Sequence, residues 1–413
     1  MFETAELGRT VSAEEFDAAE PALRTSLVLL QHDLASAGFP VVVLFAGVDG
    51  AGKSESINLL HAWMDPRGLD THAYTEETQD ERERPEHWRY WRDMPGRGRI
   101  GLFRSAWYSP LLLGRVHRQL TKDDLARQLD RVLTLEQMLV DDGALVLKFW
   151  MHLNQEQQLA RLEALRDDPL TGWRVSKADL RNAELYPRFI AAAERIIART
   201  STGGAPWTIV EGADPNYRTL TVATTLRDAL SRHLERHRNA NEPEPAPAPA
   251  VAEAPSITVL DALDMTLDLK KKEYRSRLEE GQARLGRLFL KARKKKLSIV
   301  AAFEGWDAAG KGGAIRRATR SLDARHYAVI PIAAPTDEER AHHYLWRFWR
   351  RLPRDGRLTV FDRSWYGRVL VERVEGFARH DEWRRAFAEI NAFEAELVRH
   401  GTVLLKFWIN ITP

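Results

Sequence analysis

The chain has 413 residues, 44% of them hydrophobic and 29% charged, with 61 Lys and Arg against 59 Asp and Glu. That length corresponds to two or three average domains with ample chain for a core, which excludes disorder throughout and collagen-like folds. Cys is absent, so disulfides, thiol nucleophiles and zinc–thiolate sites are excluded.

The N-terminus, Met1-Phe2-Glu3-Thr4, lacks the basic and apolar blocks of a signal peptide. No apolar run approaches the roughly 18 residues of a membrane helix. A soluble cytoplasmic protein with no membrane contact is expected. A charged helix is predicted over Ala13–Ala37. Val41–Phe45 is a short apolar run entering a Gly-rich turn, as buried parallel strands do. A helix over Ser54–Met64 follows. Further on, Trp207–Glu211 reads as a strand, with a helix continuing to about His237.

Asn239–Pro255 carries Pro243, Pro245, Pro247, Pro249 and Pro255 spaced by Ala and Glu, the composition of an extended linker. It divides the chain into 1–238 and 256–413. The second part opens with a charged helix over Leu267–Lys296. A strand over Ser298–Phe303 and a helix over Gly312–Leu322 come next. Then follow a strand over Tyr327–Ile332, a helix over Glu338–Leu352 stopped at Pro353, and strands over Leu358–Phe361 and Val403–Ile411. Alternating strands and helices predict a parallel sheet covered on both faces.

The two parts are copies of one domain. Gly47-Val48-Asp49-Gly50-Ala51-Gly52-Lys53 recurs as Gly305-Trp306-Asp307-Ala308-Ala309-Gly310-Lys311. The same offset carries Trp88, Arg89, Trp91 and Arg92 onto Trp346, Arg347, Trp349 and Arg350. It carries Trp107-Tyr108 onto Trp365-Tyr366, and Lys148-Phe149-Trp150 onto Lys406-Phe407-Trp408. Rare Trp residues do not hold register by chance.

Gly47 to Ser54 is a full P-loop between strand and helix, whose backbone N–H groups and lysine cradle phosphate oxygens. The second copy keeps Gly305, Ala309, Gly310, Lys311 and Gly313, but Gly312 replaces the hydroxyl that usually ligates Mg2+. Asp307, inside the loop, is then available as a ligand. Asp362 is expected at the C-terminal end of the third strand, beside the loop, where it and Asp307 can hold a metal. Arg363 is positioned to clamp transferring oxygens. In the first copy Arg104 stands opposite Asp362, Ser105 opposite Arg363 and Gly114 opposite Glu372. A cation at the metal position disfavours Mg2+, so Asp49, Gly52, Lys53, Ser54 and Arg104 are expected to form a degenerate, silent site.

The near-neutral total hides a local Arg cluster at Arg347, Arg350, Arg351, Arg354, Arg357 and Arg363. That pattern fits one anionic ligand in one groove and not a nucleic-acid coat. On the predicted helix Arg347, Arg350 and Arg351 are candidates to line an anion channel, with Trp346 and Trp349 in the core. His342-His343 cannot face one site from a single helix. No His-Glu-x-x-His, Gly-x-Ser-x-Gly or Gly-x-Gly-x-x-Gly motif is present.

Phe303–Gly313, Phe361–Arg368, Glu372 and Lys406-Phe407-Trp408 resemble the type-2 polyphosphate kinase family, and both halves align with it. Two fused copies look like its polyphosphate:AMP phosphotransferase branch, with the second copy active. The resemblance implies two tandem P-loop kinase-like αβα sandwich domains with a helical lid. It also implies Mg2+, with Mn2+ as an alternative, inorganic polyphosphate and AMP or ADP as partners, and a homo-oligomer. Catalytic roles carry over to Asp307, Lys311, Asp362, Arg363 and Glu372, and a phosphate contact to Arg368. The second copy ends at Pro413, shortly after its fourth strand, so its own lid region is expected to be missing. An ATP-dependent nucleoside monophosphate kinase and a non-catalytic polyphosphate- or nucleotide-binding scaffold are the rival expectations.

Overall fold

A computed structural model describes residues 1–240 and 258–412. From residue 241 the expected linker lies outside the described residues. The chain divides into two compact units, Met1–Glu76 with Asp93–Pro243, and Glu77–Arg92 with Glu244–Pro413.

The first unit holds five parallel strands, β1 (Val41–Gly47), β2 (Leu69–Ala73), β3 (Ile100–Arg104), β4 (Leu145–His152) and β5 (Trp207–Glu211), in the order β2-β3-β1-β4-β5. β1 and β4 are buried on both faces, which is why they read as unbroken apolar runs. The helices Ala13–Ala37 and Pro215–Ala240 belong to this unit, as do Gln155–Asp167 and Lys177–Glu184 after β4. Ser12 opens the first of these with a reciprocal capping box to Glu15, and Gly38 closes it in the left-handed region.

The second unit holds β6 (Ile299–Gly305), β7 (Tyr327–Pro331), β8 (Leu358–Asp362) and β9 (Val403–Ile409), all parallel, in the order β7-β8-β6-β9. This is the β2-β3-β1-β4 arrangement repeated. Its core packs Trp349, Trp365, Phe361 and Phe393 edge-to-face, and Trp346 is also buried. Inside the same unit Trp91 stacks on Trp349 at 5.8 Å, and Arg354 donates to Glu83 across 2.7 Å.

The repeated Lys-Phe-Trp motif serves the fold. Lys148 of β4 donates to Glu136 at 2.6 Å, and Trp107 and Tyr108 donate to the same carboxylate at 3.0 and 2.7 Å. Lys406, Glu394, Trp365 and Tyr366 repeat this at 2.8, 3.0 and 2.7 Å. The set ties the fourth strand, the preceding helix and the turn after the third strand together in each copy.

One predicted element is corrected. Glu338–Leu352 is not a single helix but two short ones, Asp337–Arg340 and Trp346–Trp349. The His342 ring bonds the Glu338 carbonyl at 2.7 Å and stacks on Trp346 at 3.8 Å. His343 Nδ1 accepts from the Leu345 amide at 3.2 Å. These side chains take the backbone partners that a continuous helix needs.

Candidate active site

The P-loop of the second unit leaves β6 at Gly305, whose φ is 139°. A Cβ there would lie 2.1 Å from the Ile409 carbonyl oxygen of β9, so only glycine fits. Gly310, at φ 93°, caps the helix Lys311–Thr319 and turns its free N–H groups toward the loop. Lys311 folds back, donating to the Gly305 and Trp306 carbonyls at 2.8 and 2.8 Å. Among the described residues, nothing lies within 4 Å of the outward side of Gly310 or Gly312, so the cradle is open. Ala309 donates its backbone N–H to the Trp306 carbonyl at 3.2 Å, and Gly313 lies under the Arg317 side chain.

β8 lies beside β6, and Asp362, its last residue, is in register with Phe303. Among the described residues, the Asp362 carboxylate has no hydrogen-bond or ion-pair partner. Arg363 follows in the left-handed region at φ 63° and donates to Asp307 at 2.7 Å. Asp307 is 88% exposed. The half-buried Glu304 carboxylate accepts from the Ser364 amide and hydroxyl, each at 2.7 Å. Burial pushes its pKa up, against the pull of those bonds.

The remaining expected residues are neutralised within the protein. Arg368 bonds Glu372 at 2.9 Å, lies 3.7 Å from Glu382 and covers the Tyr344 ring at 4.7 Å. Arg347 pairs with Glu339 at 3.2 Å and donates to the Ala333 carbonyl. Arg350 pairs with Glu338 at 3.1 Å and lies over Trp346. Glu304 and Ser364 escaped the sequence reading. Their signal was the copy comparison, where Ala46 and Ala106 stand in their places.

The first unit builds the same loop differently. Gly52 again has φ 93°, but the Arg218 guanidinium lies 2.5 Å from where its Cβ would be, and donates to the Gly212 carbonyl at 2.8 Å. Gln158 donates to the Asp49 carbonyl, and Arg161 packs over Gly50. Lys53 pairs with Asp49 at 3.2 Å, and burial holds its pKa down, with the nearby Arg104 adding to the effect. Arg104 ends β3 where Asp362 ends β8, and Ser54 is exposed. Side chains from the helices Gln155–Asp167 and Pro215–Ala240 cover this cradle.

A P-loop after the central strand of a parallel sheet, duplicated, with a carboxylate at the end of the neighbouring strand, defines a P-loop phosphotransferase. A family profile described as Polyphosphate kinase 2 matches residues 10–238 and 268–413, and the chain belongs to that family. The polyphosphate:AMP phosphotransferase of Pseudomonas syringae pv. tomato is 47% identical over 100% of this chain and 82% of its own length. The protein of that name from Pseudomonas aeruginosa is 46% identical over 100% of this chain and 83% of its own. A crystal structure of a polyphosphate kinase 2 from Pseudomonas aeruginosa has a TM-score of 0.88 and 43% identity, covering 100% of this chain and 82% of that one. The chain is an enzyme of this phosphotransferase class. Among the described residues no helix is long and apolar enough to cross a membrane.

Proposed function

We propose that this protein moves a terminal phosphoryl group from inorganic polyphosphate to AMP, giving ADP, in the cytoplasm. The second unit carries the reaction and the first is silent. The observation that carries this reading is the contrast between the two loops. The second is open and surrounded by Asp307, Asp362 and Arg363. The first is packed by Arg218, with Arg104 in place of the carboxylate.

The acceptor oxygen of AMP is already anionic at neutral pH, so no strong base is needed. Catalysis rests on bringing two polyanions together and neutralising charge in transit. The loop N–H groups and Lys311 bind the transferring phosphate. Lys311 exchanges its two carbonyl partners for phosphate oxygens. Arg363 reaches the same oxygens from the end of β8.

The residues fit a hard divalent cation. Among the described residues no three carboxylate or imidazole groups gather at one point. Mg2+, however, is commonly held by one or two carboxylates together with substrate phosphates and water. The unpartnered Asp362 and the exposed Asp307 are that pair. The metal, Mg2+ or Mn2+, neutralises phosphate charge when bound. Arg368 and Glu372 hold each other and act as supports for this turn. The test is AMP with polyphosphate as the sole donor, in the presence of Mg2+. ADP formation is expected. Formation of ADP from AMP only when ATP is supplied would favour a nucleoside monophosphate kinase.

A further inference from the structure

Arg363 occupies a conformation that costs an ordinary L-residue about 1–2 kcal/mol. The backbone on both sides of it is pinned by two successive residues of β6. The Arg363 amide donates to the Phe303 carbonyl at 3.0 Å, and the Ser364 amide donates to the Glu304 side chain at 2.7 Å. The Ser364 hydroxyl adds a second bond to the same carboxylate oxygen. Ser364 is only 2% exposed, so water does not replace these bonds easily.

The first copy shows what the pin is not for. Ser105 makes the same bend at φ 57°, with Ala46 opposite Glu304 and Ala106 opposite Ser364. The bend therefore forms without the carboxylate. Both partners of the bond are absent from the copy that also lacks the arginine. A half-buried carboxylate has lost part of its hydration, a cost that its two bonds to Ser364 offset.

We propose that Glu304 is a positioning residue: through Ser364 it fixes the turn after β8 so that Arg363 is aimed at the P-loop. This rests on the transfer role proposed above for Arg363.

The test is steady-state kinetics of the full chain with AMP, polyphosphate and Mg2+, alongside its melting temperature. Glu304→Ala is expected to lower kcat by about 10- to 100-fold, the scale of a small misplacement of a reacting group. KM for AMP should stay at the wild-type value. Ser364→Ala keeps the amide donor and loses only the hydroxyl bond, so it should lower kcat less than Glu304→Ala, and the double variant should be no worse than Glu304→Ala alone. Glu304→Gln retains the acceptor oxygen and should recover most of kcat at an unchanged melting temperature. An unchanged kcat in Glu304→Ala, losses that multiply in the double variant, or no recovery in Glu304→Gln would each overturn the proposal. Arg363→Ala separates the two levels. If it is inactive while Glu304→Ala is fully active, only the positioning role fails. If Arg363→Ala keeps full activity, the role of Arg363 fails as well.

Discussion

Arg363 donates to Asp307 across 2.7 Å, whereas in the first copy the equivalent Asp49 is bonded to its own loop lysine, Lys53, at 3.2 Å. The arginine thus holds the loop carboxylate away from the loop lysine. In the second unit Lys311 is left with backbone carbonyls alone as partners among the described residues. Neutral carbonyls hold an ammonium less firmly than a carboxylate does. Lys311 is accordingly the freer of the two to turn toward phosphate.

Asp362→Ala is expected to lower polyphosphate-to-AMP transfer by at least about 10²–10³-fold, the scale of losing one preorganised charge contact. Arg104→Ala should leave the rate near wild type, since Arg104 ends the corresponding strand of the unit proposed to be silent. ADP formation rates of the two variants check both statements. Substantial activity in Asp362→Ala removes the assignment of the second unit as the catalytic one.

The glycines that cap the two P-loops differ in what surrounds them. Alanine at either position takes up a φ of 93° and costs about 1–2 kcal/mol. At Gly52 the new methyl also meets the buried Arg218 guanidinium at 2.5 Å, adding an overpacking cost of about 1–3 kcal/mol. Gly310 has open space. Gly52→Ala should therefore lower the unfolding midpoint further than Gly310→Ala, while Gly310→Ala should be the one that harms transfer. Equal midpoints would show that Arg218 yields freely.

The strands and P-loops were legible because apolar runs bounded by glycines and rare Trp residues in constant register need no tertiary information. The broken helix at 341–345 was not, because the His342 and His343 rings win backbone partners only once Trp346 and Leu345 are in place. That break also hid the fate of Arg347 and Arg350. In a continuous helix, Arg347 would stand about 12 Å along the axis from Glu339, too far to pair. With the helix broken at 341–345 they lie 3.2 Å apart. Asp307 was picked out by its place inside the loop, and Asp362 and Arg363 by their place at the end of the third strand. The turn that joins them depends on a side-chain bond between β6 and the residue after Arg363, and spacing does not encode it.

Lys148 and Lys406 share their bonds to a glutamate and a tyrosine, but Lys148 is buried and donates also to the Thr200 carbonyl at 2.7 Å. Lys148 is 0% exposed, and removing it leaves Glu136 charged in the interior. Lys148→Met should cost about 3–5 kcal/mol. Lys406 is 49% exposed, and Glu394 keeps its bonds to Trp365 and Tyr366. Lys406→Met should cost about 1 kcal/mol or less. Denaturant titrations of the two variants measure the difference, and equal costs would refute the burial argument.

His152 makes the first unit sensitive to acid. Its ring lies buried at the end of β4, stacked on Phe2 at 4.5 Å, with Nε2 bonded to Glu6 at 2.8 Å. Nδ1 is buried without a partner, so a second proton there would be unsatisfied. Burial accordingly holds the pKa below the ordinary 6.5, outweighing the attraction of Glu6. His233 is shifted in the same direction for the same reason. Below pH 6.5 the unfolded chain then binds protons that the folded chain refuses. Stability is therefore full above that value and falls as the pH drops through the lower folded pKa. The melting temperature should decline between pH 7.5 and 5.5, before ordinary carboxylates titrate. His152→Phe retains an aromatic partner for Phe2 and removes one of the two titrating rings, so its decline over that range should be shallower. A wild-type profile that stays flat, or a variant that falls as steeply, would show that His152 is protonated in the folded state.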